Sequence, residues 1–264
     1  MIEGFTTAFC DRRQAGITRV GLIVPSSNTT METEIPELLR RQSEVTGARY
    51  TFHSARAHLK SVTKEELLKM VSQAADCARS VSDADVDVIA YACLVAVMAQ
   101  GPGAHVESEE TILEAARDNG HPAEVVSSAG ALVRTLKAIG AKKVAMLTPY
   151  MPPLTQLVKE YIEGDGIEVS EAIALSVSDN LAVGQLDTEN LKTLAAQLDL
   201  AGVDAIVLSA CVQMPSLDAI EPVEQALGIP VISAGTATTY EILTSLGHKP
   251  QIAGAGRLLR SELI

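Results

Sequence analysis

The sequence predicts an α/β protein built from two pseudo-symmetric parallel-sheet domains, Rossmann-like or flavodoxin-like in type. Three observations predict it. Apolar runs rich in β-branched residues alternate with helix-length amphipathic stretches along the 264 residues, the alternation repeats about halfway, and aromatic residues make up only 3% with no Trp. Strand–helix alternation calls for a parallel sheet covered by helices on both faces. Small aliphatic side chains, part of a 47% hydrophobic content, suit strands buried on both sides.

Taken in order, the predicted strands are residues 19–24, 49–54, 86–92, 124–127, 143–148, 168–175, 205–210 and 230–233. Between the second and third, Leu67, Met70, Val71, Ala74, Ala78 and Val81 recur at three- and four-residue steps and predict one helix over 64–81. Thr63 followed by Glu66 predicts a capping box at its start. Three landmarks then occur twice in the same order. Val20-Gly-Leu-Ile-Val-Pro25 and Val144-Ala-Met-Leu-Thr-Pro149 each end a strand at Pro; Val86-Asp and Val203-Asp each lead an apolar strand to Ala-Cys; Ser128-Ala-Gly130 and Ser233-Ala-Gly235 each close a strand and open a helix. A duplicated α/β unit accounts for all three. The expected division is a discontinuous first domain of 1–128 plus 235–264 and a second of 129–234.

The formal net charge of −12 argues against a nucleic-acid or anionic-membrane partner, which needs a basic face. No run approaches the 18 or more apolar residues of a membrane span. The first residues lack a basic segment followed by an apolar core and read as a loose arm, not a secretory signal. Four cysteines, at 10, 77, 93 and 211, form neither a zinc pattern nor a disulfide framework, and the expected compartment is the reducing cytoplasm. Five histidines show no metal-ligand spacing, and no dinucleotide or phosphate-loop fingerprint is present, so no metal and no cofactor is expected. Gly254-Ala-Gly256 reads as a turn, and the acidic Glu107-Ser-Glu-Glu110 as the start of a helix.

Ligands of open α/β sheets sit beyond the carboxyl ends of the strands, and all the repeated landmarks lie there. Cys93 and Cys211 stand at equivalent points, and a pseudo-twofold arrangement brings both into an active site in the cleft between the domains. Placed at the mouth of a helix, each thiol is expected to have a lowered pKa. Cys77 falls on the apolar face of the 64–81 helix and reads as core; Cys10 lies in the arm. Pro25-Ser-Ser-Asn28-Thr-Thr30, Tyr150 and Asn180 supply neutral donors at other strand ends. Such donors can hold a small dicarboxylate without a buried Lys or Arg.

With these segments in place, the chain resembles the aspartate/glutamate racemase superfamily and, within it, the maleate isomerase family. The resemblance runs from about Val20 to the C-terminus. It rests on residues 21–32, Tyr91-Ala-Cys93, Thr148-Pro-Tyr150 and residues 209–217. It implies Cys93 as nucleophile, Cys211 as its proton-handling partner, Asn28, Tyr150 and Asn180 on the substrate carboxylates, no cofactor, a homodimer, and conversion of maleate to fumarate by transient thiolate addition. The residues beside the cysteines, Ala92, Leu94, Ala210 and Val212, depart from the polar neighbours found in amino-acid racemases, and Cys93 departs from arylmalonate decarboxylases. A two-cysteine racemase or epimerase of a carboxylate and a non-catalytic dicarboxylate binder remain the alternatives.

Overall fold

The computed structural model describes residues 16–264; the N-terminal arm and Cys10 lie outside them. In chain order the first half holds β1 (Ile17–Pro25), α1 (Met31–Thr46), β2 (Arg49–Ala57), α2 (Lys64–Val71), α3 (Ala74–Ser82), β3 (Val88–Tyr91), α4 (Leu94–Met98), α5 (Ala104–Asp118), β4 (Glu124–Ser127) and α6 (Ser128–Ala138). The second holds β5 (Lys143–Thr148), α7 (Pro152–Gly164), β6 (Glu168–Ala174), α8 (Asn180–Val183), α9 (Thr188–Ala195), β7 (Ala205–Ser209), α10 (Leu217–Leu227), β8 (Val231–Ser233), α11 (Ala234–Ser245) and α12 (Gly256–Leu259). The strands form two four-stranded sheets ordered β2-β1-β3-β4 and β6-β5-β7-β8. Every pairing within them is parallel.

All eight predicted strands are present. The central pair β3 and β7 is buried along its full length, as their unbroken apolar sequences require of strands covered on both faces. The repeated Val-Asp has a structural purpose. Asp87 Oδ2 accepts from Arg19 N at the start of β1, and Asp204 Oδ2 accepts from Lys142 N and Lys143 N at the start of β5. Each aspartate thereby sets the register of the neighbouring strand.

Three expectations are corrected. The predicted helix 64–81 is two helices, broken at Ser72 and Gln73. The Gln73 side chain accepts from His58 N and donates to Lys69 O, while Ser72 Oγ also donates to Lys69 O. The carbonyl that should accept from Gln73 N is thus taken by side chains, and that N–H turns to Met70 O instead. The capping box is only half made: Thr63 caps Glu66 N, but the Glu66 carboxylate pairs with Lys69. The serine repeat is also offset by one, because Ser127, not Ser128, caps α6 as Ser233 caps α11.

α6 and α11, the helices after the last strand of each sheet, pack on each other. Ser128 Oγ donates to Thr238 Oγ1, whose own hydrogen goes to Ala234 O, across this buried seam, and Arg134 on α6 pairs with both Glu109 and Glu241 at its edge. α11 also packs on α1, β3, β4 and β8, and the residues just after it lie on the first half. Tyr50 Oη meets His248 Nδ1 at 2.9 Å, and the Gln42 amide binds Lys249 O and Gln251 N. α12 then returns to β8 and α10. No helix among the described residues is long and apolar enough to cross a membrane.

Candidate active site

In the strand order 2-1-3-4, neighbouring chains leave the two central strands toward opposite faces, opening a crevice at their carboxyl ends. Each sheet contributes two central strand ends. The loop after β1 carries Asn28, that after β3 carries Cys93, that after β5 carries Tyr150, and that after β7 carries Cys211. Asn180 begins α8 beyond β6. All five predicted site residues border one cavity, with Gln213, Leu59, Leu67, Met70 and Val95 among the rest of its wall, and no wall residue carries a formal charge. The cavity measures about 20 Å³, the room of one water molecule. Ser61 forms an antiparallel bridge with Asp179, joining the segment between β2 and α2 to the residue before Asn180.

The predicted donors are heavily used within the fold. Asn28 is fully buried; its Oδ1 accepts from Thr30 N and Met31 N at the start of α1, and its Nδ2 donates to Val212 O in the loop after Cys211. Asn180 Nδ2 donates to Ser27 Oγ at 2.7 Å. A carboxamide nitrogen has two hydrogens, so each of these amides keeps one for a ligand. Burial, with the Cys211 thiol adding to it, holds the Tyr150 phenol far above its ordinary range, so its hydroxyl remains a donor.

Sequence reasoning missed Gln213. Its Oε1 accepts from Thr29 N at 2.9 Å, its Nε2 donates to Ser27 O at 3.1 Å and to Asn180 O at 2.9 Å, and its own N–H points at Cys211 Sγ at 3.3 Å. One side chain therefore joins the Asn28 loop, the Asn180 helix and the Cys211 loop. The approach is so close that a Cβ on Gly184 would lie 2.6 Å from both Gln213 Nε2 and Thr29 Oγ1. A lone Gln between Cys211 and Pro215 carries no local signal of this role. Glu34 was missed as well. From α1 its Oε1 accepts from Ser216 N at 2.6 Å and Leu217 N at 2.9 Å, capping α10 across the two halves.

Desolvation pushes the Glu34 carboxyl up from its ordinary value, with the Asp218 charge adding and the two backbone N–H groups opposing. A carboxyl raised by folding stabilises the fold below the ordinary carboxyl range and loses that contribution as pH rises through its folded value. Glu34→Gln keeps the acceptor and removes the charge. Its melting temperature relative to the parent is expected to rise between pH 4 and pH 8. A flat difference across that range in calorimetric scans would refute the charge assignment.

The expected lowering of the thiol pKa values is not observed. Cys93 is 2% and Cys211 4% exposed, and both are free thiols. Burial pushes Cys93 well above the ordinary thiol range; Cys211 is also raised, against the pull of Tyr150 and the N–H groups of Gln213 and Met214. Desolvation of an anion in an apolar wall outweighs the partial charge of the short helix α4. If a thiolate does the chemistry, reaction rate should climb through the alkaline range, still rising between pH 8 and pH 9. A rate profile that levels off below pH 7.5 would contradict this.

Comparisons with known proteins place this architecture. Residues 20–259 match the family described as arylmalonate decarboxylase. A maleate isomerase of Geobacillus stearothermophilus is 53% identical over 245 residues, covering 92% of this chain and 98% of that protein. The chain belongs to the maleate isomerase family. Among solved structures of the family, a maleate isomerase from Pseudomonas putida S16 with one cysteine changed to alanine, crystallised with maleate, superposes with a TM-score of 0.91 at 51% identity, covering 92% of this chain and 98% of that one. A Nocardia farcinica maleate cis-trans isomerase with one cysteine changed to serine carries a covalently bound succinylcysteine intermediate; its TM-score is 0.90 at 48% identity, covering 93% and 99%. Family membership accords with the resemblance carried by residues 21–32, 91–93, 148–150 and 209–217.

Proposed function

We propose that this protein converts maleate to fumarate by transient addition of the Cys93 thiolate to the double bond. The observation that carries the reading is a single cavity holding two thiols among neutral donors, with no charged side chain in its wall. A planar dicarboxylate suits such donors, whereas an amino acid's ammonium finds no carboxylate to meet it. The two relatives with maleate and with a succinylcysteine support the same chemistry by kinship.

Rotation about a carbon–carbon double bond is blocked until that bond becomes single. The Cys93 sulfur forms a bond to one alkene carbon, and the π electrons move onto the other carbon and into its carboxylate. Remaining amide hydrogens of Asn28 and Asn180, and the Tyr150 hydroxyl, stabilise that charge. Cys211 gives its proton to the carbanion; the N–H groups of Gln213 and Met214 support the thiolate left behind. The bond turns, Cys211 takes a proton back, the carbon–sulfur bond breaks, and fumarate leaves with Cys93 again a thiolate. A cavity of about 20 Å³ cannot admit maleate without movement. Leu59, Val62, Leu67 and Met70 all come from the segment joining β2 to the end of α2, so that segment must swing out and back, returning over the substrate to exclude water.

The test is direct. Purified protein with maleate, a chelator and no added cofactor should form fumarate, followed by proton NMR. Absence of fumarate across pH 7–9 would overturn the reading. We further propose a cytoplasmic protein, supported by three unpaired cysteines at 77, 93 and 211, and a homodimer, which sedimentation would test. The domain division 1–128 plus 235–264 and 129–234 is supported by the packing of α11 on α1, β3 and β4 and by the contacts of His248, Lys249 and Gln251 with the first half.

A further inference from the structure

Tyr91 is the last residue of β3 and is fully buried, yet its hydroxyl forms no well-aligned hydrogen bond. Folded proteins rarely leave a buried hydroxyl without a partner, because it gives up its water for nothing. Residues two apart near a strand end face the same side, and the Tyr91 hydroxyl lies against the sulfur of Cys93. Cys77 on α3 is the other titratable group acting on that sulfur, whose own two contacts are Ile23 O at 4.0 Å and Met70 Sδ at 3.9 Å. Both are acceptors. They suit a thiol that donates its hydrogen, and they have none to return once the thiol ionises.

The duplication sharpens the point. Ser209 occupies in the second half the position of Tyr91 in the first, two residues before the cysteine, and its hydroxyl is committed to Cys211 O and Met214 O. Cys211 meanwhile receives the Gln213 N–H at 3.3 Å. At the same register the second half spends its hydroxyl on the backbone, while the first keeps one in reserve beside the sulfur.

We propose that Tyr91 is a positioning residue for the nucleophile: its phenolic O–H turns onto the Cys93 sulfur when the thiol loses its proton, supplying the hydrogen bond that holds the thiolate. Tyr91 is not part of the cavity wall and acts through Cys93 alone. The proposal rests on Cys93 as nucleophile, but its test does not need isomerase turnover.

The experiment compares the full-length parent with Tyr91→Phe. Iodoacetamide labelling of Cys93 and Cys211, read by peptide mass spectrometry from pH 6.5 to 10, gives a midpoint for each thiol. The midpoint for Cys93 should rise by about one pH unit, slowing its labelling about tenfold at pH 8, while that for Cys211 stays put. Turnover of maleate should fall by a similar factor at pH 8 and recover toward pH 10. The melting temperature should hold or increase, since Phe removes an unpaired hydroxyl. An unchanged Cys93 midpoint overturns the proposal. So does a fall in melting temperature with both thiols altered alike, which would mark a purely structural residue. A shifted Cys93 midpoint in a parent that makes no fumarate would leave Tyr91 in this role and reject the isomerase reading instead.

Discussion

Changing Cys93 to serine is expected to lower maleate turnover by at least about a thousand-fold, because a serine hydroxyl supplies almost no anion in an apolar cavity. Changing Cys211 to serine should also cost roughly a hundred-fold or more, but with a different signature. Cys93 can still add to the alkene in that variant, and the slow step becomes the return of the proton before elimination. Protein carrying the mass of one maleic acid should therefore accumulate, and digestion should map it to Cys93. The asymmetry follows from the neighbours. Cys211 has the Gln213 N–H and Tyr150 to support its anion, so it is the better proton donor and acceptor. Cys93 otherwise faces Ile23 O and Met70 Sδ and has no backbone N–H comparable to that of Gln213 among its hydrogen bonds, so even with the Tyr91 hydroxyl turned onto it its anion is the more reactive. A two-base racemase would instead lose activity equally with either change, accumulate no adduct, and exchange the α-hydrogen of a chiral diacid with solvent. An adduct on Cys211, or near-normal turnover by Cys93→Ser, would reverse the assignment.

Much of this arrangement is legible in the sequence because it is written in local patterns. Strand positions follow from apolar runs such as residues 143–148 and 205–210, and the pairing of Cys93 with Cys211 follows from matched landmarks around them. Where the pattern fails, distant groups compete. The break between α2 and α3 needs His58, fifteen residues away, to draw the Gln73 amide out of the helix. Thiol acidity was misjudged because a helix mouth is visible in sequence and desolvation is not: the wall around Cys93 is assembled from β1, α2 and α4. Asn28 was identified as a donor, yet its main occupation is tying α1 to Val212 O, a partner 184 residues on. The repeat itself hides such features, since Tyr91 and Ser209 occupy one register with opposite hydrogen-bonding fates.

Gln213→Ala is expected to destabilise the protein by roughly 2–4 kcal/mol and to raise the KM for maleate at least tenfold. Removing the amide strips Thr29 N of its acceptor and Ser27 O and Asn180 O of a donor, all in a region that excludes water. The same three bonds align Asn28 and Asn180, so their loss loosens both groups meant for the substrate carboxylates. Two companion variants separate stability from alignment. Gln213→Glu keeps the acceptor for Thr29 N but sets a carboxylate against two carbonyls and beside a dianionic substrate, so its KM should rise further than that of the alanine variant. Gly184→Ala leaves Gln213 in the chain but places a methyl 2.6 Å from its nitrogen and from Thr29 Oγ1, displacing the amide from the outside. Its KM should move in the same direction while labelling of Cys93 by iodoacetamide keeps its pH midpoint. An unaltered KM in all three variants would mean that the two asparagines are aligned without this tie. The donors on the substrate would then have to be sought among the backbone N–H groups of the loops after β1 and β7.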